Sequence, residues 1–288
     1  MKVLVTGATG YIGAHTCKVL HDRGHEVHGL DICFEQNDIS KYCAHVIHAD
    51  VTEVQITERY DTVVHLAGLI SVKESTEYPT SYYHNNLNGT IHMLAQMPNT
   101  HMVFASTAGA FDPQSPYARS KIACEDVIKE LSDAYTIFRF FNVAGSDGEN
   151  MQQGESTHLI RIAAETAALR RDLMYVYGTD YNTRDGSCVR DYVHVIDLAN
   201  AIANAVENGP ANTPYECIGS GTGYTVWEVI DTMVKVTEMP IMAIPEVRRA
   251  GDPAELVIDN QYKGLEIKHT LEDMCMSAYM AELRRSVQ

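Results

Sequence analysis

Two periodicities alternate along the first half of the chain. Short apolar runs bounded by turn residues read as buried strands: Lys2–Thr6, His25–Leu30, His45–His48, Thr62–Leu66, His101–Ala105 and Thr136–Asn142. Between them lie helical patterns, one from Ala14, one from about Thr80 to Met97, and one from Tyr117 to about Asp133. Strand and helix in strict alternation predict an α/β fold built on a doubly wound parallel sheet. Past Val143 the pattern loosens, with a turn-rich Gly145–Glu149 stretch and a helical Leu159–Leu173. This reading places a first domain over residues 1–142 and a smaller mixed α/β lobe over 143–288. Asp191–Val195, a strand pattern before a helix to about Glu207, suggests that the chain returns to the first domain at about 189–207. Neither an internal repeat nor a low-complexity tract is visible.

The first strand runs directly into Gly7-Ala8-Thr9-Gly10-Tyr11-Ile12-Gly13 and then a helix. Glycines at Gly7, Gly10 and Gly13 permit a tight turn, close approach of backbone N–H groups to a pyrophosphate, and helix-on-strand packing, while the helix start contributes partial positive charge. The second strand ends at Asp31, about 20 residues on, where a carboxylate can accept from an adenosine ribose and repels a 2′-phosphate. A Rossmann-type domain that takes NAD rather than NADP is the expectation. The carboxyl ends of later strands, Leu66-Ala67-Gly68 and Ser106-Thr107, are where ligands of such a sheet lie.

Composition narrows the partners. A formal charge of −16 argues against nucleic acid or an anionic membrane bound through a general basic field, so an anionic ligand needs local arginines. Seven scattered cysteines without CxxC spacing suit reduced thiols in a cytoplasm. With Met1 at the head of the first strand no signal peptide is expected, and no apolar run reaches membrane-span length. Among thirteen histidines no HExxH or comparable cluster appears, so no metal site is expected.

Tyr117 and Lys121 are four apart and share one helix face. A nearby ammonium and a cationic nicotinamide would both favour the phenolate, which lets Tyr117 take a proton from a sugar hydroxyl and return it. Thr107 can bridge substrate and phenol. In the second lobe Arg190 and Arg249 are candidates for a diphosphate, because guanidinium forks match phosphate oxygens, and Asp252 can accept from a ribose hydroxyl.

Along nearly its whole length the chain resembles the UDP-glucose 4-epimerase (UDP-galactose 4-epimerase) family of extended short-chain dehydrogenase/reductases. The likeness is carried by VLVTGATGYIGAHTC, VVHLAGLISVKES, YYHNNLNGT, FASTAGA, SPYARSK, RFFNVAG, YGTDYNTRDGSCVRDYVHVIDLA and RRAGDPAE. The resemblance implies that Tyr11, Ile12, Asp31, Asp50, Val51, Leu66, Ala67, Gly68, Asn85, Thr107, Tyr117, Lys121 and Phe141 contact NAD. It implies that Asn142, Leu159, Tyr175, Tyr177, Arg190, Arg249 and Asp252 hold a UDP-sugar, and that the protein is a homodimer. Three departures stand out: Ile70 in place of a frequent lysine, His158 in place of an asparagine near the phosphates, and a connection of nine residues between Thr107 and Tyr117 where the family carries a longer one. Leu256 stands where some members have a bulky tyrosine, which opens the site to N-acetylated hexoses. The implied reaction is NAD-dependent inversion of C4 in a UDP-hexose through a 4-keto sugar. A 4,6-dehydratase is disfavoured by Ala108 and Gly109 after the threonine, and an NADPH reductase by Asp31. A uronate epimerase and a non-catalytic NAD-binding sensor remain as alternatives.

Overall fold

The computed structural model describes residues 1–33, 37–249 and 251–285. Along them the strands run β1 (Lys2–Thr6), β2 (Glu26–Asp31), β3 (His45–His48), β4 (Thr62–His65), β5 (His101–Thr107), β6 (Tyr135–Phe140), β7 (Asn142–Ala144), β8 (Met174–Tyr177), β9 (Val189–His194), β10 (Glu216–Ile218), β11 (Gly223–Thr225), β12 (Ala243–Glu246) and β13 (Glu255–Leu256). Two compact units form: Met1–Phe140 with Ala199–Cys217, and Phe141–Leu198 with Ile218–Gln288.

The first unit is built on the sheet β10-β6-β5-β4-β1-β2-β3, with β1 to β6 joined in parallel. Val3, Leu4 and Val5 are fully buried, as an apolar run without polar alternation requires of a strand covered on both faces. One side of the core joins Leu4, Val63, Phe104 and Ile137 from strands to Met93, Cys124 and Ile128 from helices. Each such side chain stabilises the fold by about 1.5–3 kcal/mol relative to exposure. Strand order reverses between β1 and β4, and a crevice for a ligand opens at their carboxyl ends.

The expected long helix from Thr80 to Met97 is three helical pieces, Pro79–Tyr82, a π-helical turn at Tyr83–Asn88 and Gly89–Gln96. Tertiary partners hold the wide turn. The Asn86 carbonyl accepts from the Thr90 hydroxyl (2.7 Å) and the Cys124 thiol (3.3 Å), and a Cβ on Gly89 would lie 2.9 Å from Val51 Cγ2.

In the second unit β9 pairs antiparallel with β11 and parallel with β7 and β13, while β8 pairs parallel with β12. β9 therefore does not rejoin the first sheet, as the pattern at Asp191–Val195 had suggested. The residues that rejoin the first unit are Ala199–Cys217, which supply most of the Val195–Asn208 helix and of edge strand β10. Ile160, Ala164, Val229, Met233 and Met274 pack the second core. Among the described residues no helix is long and apolar enough to cross a membrane, and no group of three or more His, Cys, Asp or Glu could hold a metal ion.

Candidate active site

At the head of the crevice, Gly7 has φ +67°, a conformation that disfavours side chains, and a Cβ there would lie 2.8 Å from the Ala67 backbone nitrogen. A Cβ on Gly13 would lie 2.0 Å from the Gly7 carbonyl oxygen. The loop and the Tyr11–Asp22 helix therefore approach each other at backbone distance. Gly10 caps that helix without a side-chain bond, and no acidic residue lies in its first turn, so no side chain of that turn neutralises its positive end. Asp31 is buried and accepts from the backbone N–H groups of Thr9 (2.9 Å) and Cys33 (3.1 Å), which fixes its carboxylate beside the loop with lone pairs left over. A glycine cradle that a Cβ would fill, an uncapped helix start and a fixed carboxylate fit a dinucleotide.

The other expected cofactor residues of this unit frame the same strand ends. Leu66 N–H donates to the Thr6 carbonyl and Ala67 N–H to the Thr6 hydroxyl (both 3.2 Å). Gly68 leaves room for Asn86 and Lys121, since a Cβ there would lie 3.1 Å from Asn86 Oδ1 and 3.3 Å from Lys121 Nζ. Asp50 turns the chain after β3 by accepting from Thr52, and Val51 beside it is buried. Asn85 lies half-buried in the π-helical turn, and Tyr11 and Ile12 open the first helix.

The helix Pro116–Leu131 begins where Ser115 accepts from the Ala118 N–H (3.2 Å), which puts Tyr117 in the first turn, near the positive helix end. Thr107 ends β5, accepts from the Gly109 N–H (3.1 Å) and brings its hydroxyl near the Tyr117 phenol. Burial pushes the Tyr117 phenol above its ordinary value, and the Thr107 bond pulls it back. Lys121 is 3 % exposed, donates to the Ala105 carbonyl (2.8 Å) and lies 4.7 Å from the Phe104 ring centroid. Burial lowers its pKa, against Cys124 and Glu125, which raise it. The Lys121 ammonium is directed at the Ala105 carbonyl of the strand end, and burial dominates the Tyr117 phenol.

The second unit carries Phe141 and the residues expected for a nucleotide sugar. Asn142 donates to the Asp191 carbonyl (3.0 Å). Arg190 donates to the Val189 (2.8 Å) and Pro253 (2.9 Å) carbonyls and lies 3.5 Å from Asp252, with Leu256 beside it in register. Arg249 stacks 3.9 Å from the Tyr177 centroid, and Tyr175 and Tyr177 are 6.2 Å apart. His158 caps the helix that begins at Leu159; burial and Arg161 lower its pKa, so the imidazole is neutral near pH 7. Arg190 pairs with Asp252 and Arg249 stacks on Tyr177, two separate groupings along the strands that carry them.

Sequence reasoning missed the groups that hold these residues in place. Asn86 accepts from Leu69 N–H (2.8 Å) and donates to the Leu69 carbonyl and Ser120 hydroxyl (both 3.1 Å). His65 bonds Thr6 through Nδ1 (2.8 Å) and Thr90 through Nε2 (3.2 Å). Because the Thr90 hydroxyl already donates to the Asn86 carbonyl, His65 Nε2 is the donor and Nδ1 accepts from Thr6. One chain of hydrogen bonds so links Ala67, Thr6, His65, Thr90 and the π-helical turn. Burial and Lys121 hold the His65 pKa down at about 3, which keeps that neutral tautomer.

The chain is similar to known proteins along nearly its whole length. A UDP-glucose 4-epimerase of Halalkalibacterium halodurans is 36 % identical over 299 residues, covering 91 % of this chain and 88 % of that protein. The crystal structure of UDP-glucose 4-epimerase from Bifidobacterium longum in complex with NAD+ and UDP superposes with a TM-score of 0.89 at 27 % identity, covering 99 % of each chain. The UDP-Glc/GlcNAc 4-epimerase of Campylobacter jejuni gives 0.82 at 31 % identity, over 98 % of this chain and 99 % of that one. The profile of the NAD dependent epimerase/dehydratase family matches residues 3–217, and the chain belongs to that family.

Proposed function

We propose that the protein interconverts UDP-glucose and UDP-galactose by inverting C4 of the hexose, with NAD as cofactor. The observation that carries this reading is Tyr117, beside the Thr107 hydroxyl and one turn from buried Lys121, at the carboxyl edge of a sheet whose switch point bears the glycine cradle and Asp31. When bound, NAD+ supplies the acceptor and the returning donor of the C4 hydride, and a positive charge. Tyr117 takes the O4 proton as the C4 carbonyl forms and gives it back when the carbinol is restored. Thr107 passes the hydrogen bond between substrate and phenol. The helix N-terminus and Lys121 favour the phenolate against burial.

Arg190 and Arg249 are assigned to the diphosphate and Asp252 to a ribose hydroxyl. Asn142, His158, Leu159, Tyr175 and Tyr177 line the nucleotide sugar, His158 as a neutral donor. Binding energy placed on the diphosphate retains the ketone while leaving the pyranose free to turn. The dehydratase alternative needs an acid and a base after Thr107, where Ala108 and Gly109 form a short helical turn. Leu256, aliphatic and aligned with Arg190, favours a site that also admits N-acetylated hexoses; relative turnover of UDP-galactose and UDP-N-acetylgalactosamine decides this. A homodimer in the cytoplasm completes the assignment, and sedimentation equilibrium tests the first part. Incubation with UDP-galactose and NAD should yield UDP-glucose. Absence of that product refutes the reading, and a product lighter by one water supports the dehydratase.

A further inference from the structure

Glu125 is 1 % exposed, yet it carries a carboxylate. Arg139 grips it with a fork, Nε to Oε1 at 2.9 Å and Nη2 to Oε2 at 2.8 Å, and the Ser106 hydroxyl donates to Oε1 as well. The Arg139 guanidinium lies against two half-exposed rings that meet edge to face, 4.8 Å from the Phe111 centroid and 3.8 Å from that of Tyr215. A buried ion pair is seldom more stabilising than an apolar pair of the same volume, so this one calls for a role beyond stability. Its connections supply one. Glu125 lies one helical turn from Lys121 and two from Tyr117, Ser106 immediately precedes Thr107, and Phe111 lies in the nine-residue connection from Thr107 to Tyr117.

We propose that Glu125, fixed by Arg139, is a positioning residue that keeps Lys121 in its ammonium form and holds Thr107 and Tyr117 in register without touching the reacting atoms; the inference deepens the epimerase reading and rests on it. Lys121 is faced by Cys124 and Glu125 from its own helix, on which Tyr117 lies one turn earlier, by His65 from β4, and by the Phe104 ring and the Ala105 carbonyl from β5. The Cys124 thiol is pushed up by burial and stays neutral, so the negative charge in this set is that of Glu125. Glu125 in turn is faced by Arg139 from β6 and by Lys129 at 3.6 Å from its own helix. Loss of the carboxylate removes the one full negative charge that opposes burial of Lys121 and leaves the Ala105 carbonyl and the Phe104 ring to hold its ammonium.

The test uses full-length protein labelled with 13C-lysine, the Lys121 signal being identified by its loss in Lys121→Met. In Glu125→Gln the Lys121 titration midpoint moves to lower pH than in wild type. With NAD and UDP-galactose the same variant loses about tenfold in kcat while KM stays within about twofold, and the alkaline limb of its pH profile moves the same way. Glu125→Asp restores the Lys121 midpoint, and Lys129→Gln changes neither readout. Should Glu125→Gln fail to fold, Glu125→Gln/Arg139→Gln, whose amides can still pair, carries the comparison. An unmoved Lys121 midpoint or an unchanged kcat in a folded variant overturns the proposal. Wild-type protein without epimerase activity overturns the proposed function instead, and leaves the Lys121 titration to judge Glu125 by itself.

Discussion

Gly13→Ala turns the geometry of the dinucleotide cradle into a number. In an unobstructed helix interior, glycine to alanine stabilises by about 1 kcal/mol. Here the new Cβ would lie 2.0 Å from the Gly7 carbonyl oxygen and 2.9 Å from Ala8 Cα, and both neighbours are backbone. Bringing the first of these to a tolerable 3.0 Å forces the loop and the Tyr11–Asp22 helix apart by about 1 Å. Overpacking of this kind costs about 1–3 kcal/mol or more, enough to cancel or reverse the helix gain, so Tm falls rather than rises. The larger effect falls on the ligand. A hydrogen bond to a charged oxygen contributes about 1.5–3 kcal/mol, and a displacement of about 1 Å forfeits at least one, so Kd for NAD+ rises by roughly tenfold to a hundredfold. Calorimetric titration of the apoprotein with NAD+ measures this. Gly24→Ala is the control: its φ of +83° makes alanine strained, but nothing lies within 4 Å of the added carbon, so it costs stability and leaves Kd alone. A Gly13→Ala protein as stable as wild type with unchanged NAD affinity would refute the close-approach argument.

Tyr117→Phe should lower kcat by about a hundredfold to ten-thousandfold with NAD still bound, as read by initial rates and by co-purified dinucleotide. Asp31→Ala removes the acceptor of Thr9 and Cys33 together with the ribose contact, so affinity for NAD falls and discrimination against NADP relaxes, which competitive titration measures. Buried His65 and His101 have pKa values lowered to about 3 and about 4, below the ordinary 6.5 of the unfolded chain. Below pH 6.5 the unfolded state therefore takes up protons that the native state refuses, so their contribution is complete above 6.5 and is lost as pH falls toward 4 and then 3. Each contributes a slope of roughly 1.4 kcal/mol per pH unit in that window, and His101→Phe should flatten the fall of stability measured by urea unfolding between pH 6.5 and 4.

What the chain declares locally was legible from it. Gly7, Gly10 and Gly13 act on one another across a few residues, Asp31 closes the next strand, and Tyr117 and Lys121 share a turn. Spacing, read together with the strand and helix patterns around it, therefore carried the glycine turn and the placing of Tyr117 and Lys121 on one helix turn. Asn86, His65, Glu125 and Arg139 work through partners far away in sequence, such as Leu69 for Asn86 and Thr6 for His65, and no periodicity announces such pairings. The π-helical turn at Tyr83–Asn88 was hidden for the same reason, since side chains from other segments satisfy its backbone. Strand β9 has the composition of a sheet strand, but nothing in Asp191–Val195 says which sheet. The charge of Lys121 suggested an activator of Tyr117; only its bond to the Ala105 carbonyl reveals where the ammonium is directed.

The position of β10 has a consequence for synthesis. Strands β1 to β6 leave the ribosome in order, but the neighbour of β6 arrives only with Glu216–Ile218, after the whole Phe141–Leu198 stretch. Until then the nascent sheet carries a bare edge next to buried Ile137 and Phe138, the kind of border that recruits a strand from another molecule. Arg23, which grips Asn200, Asn204 and Glu207, helps fasten the returning segment once it emerges. Premature termination before Glu216 should therefore yield chains that aggregate rather than a smaller soluble dinucleotide-binding protein.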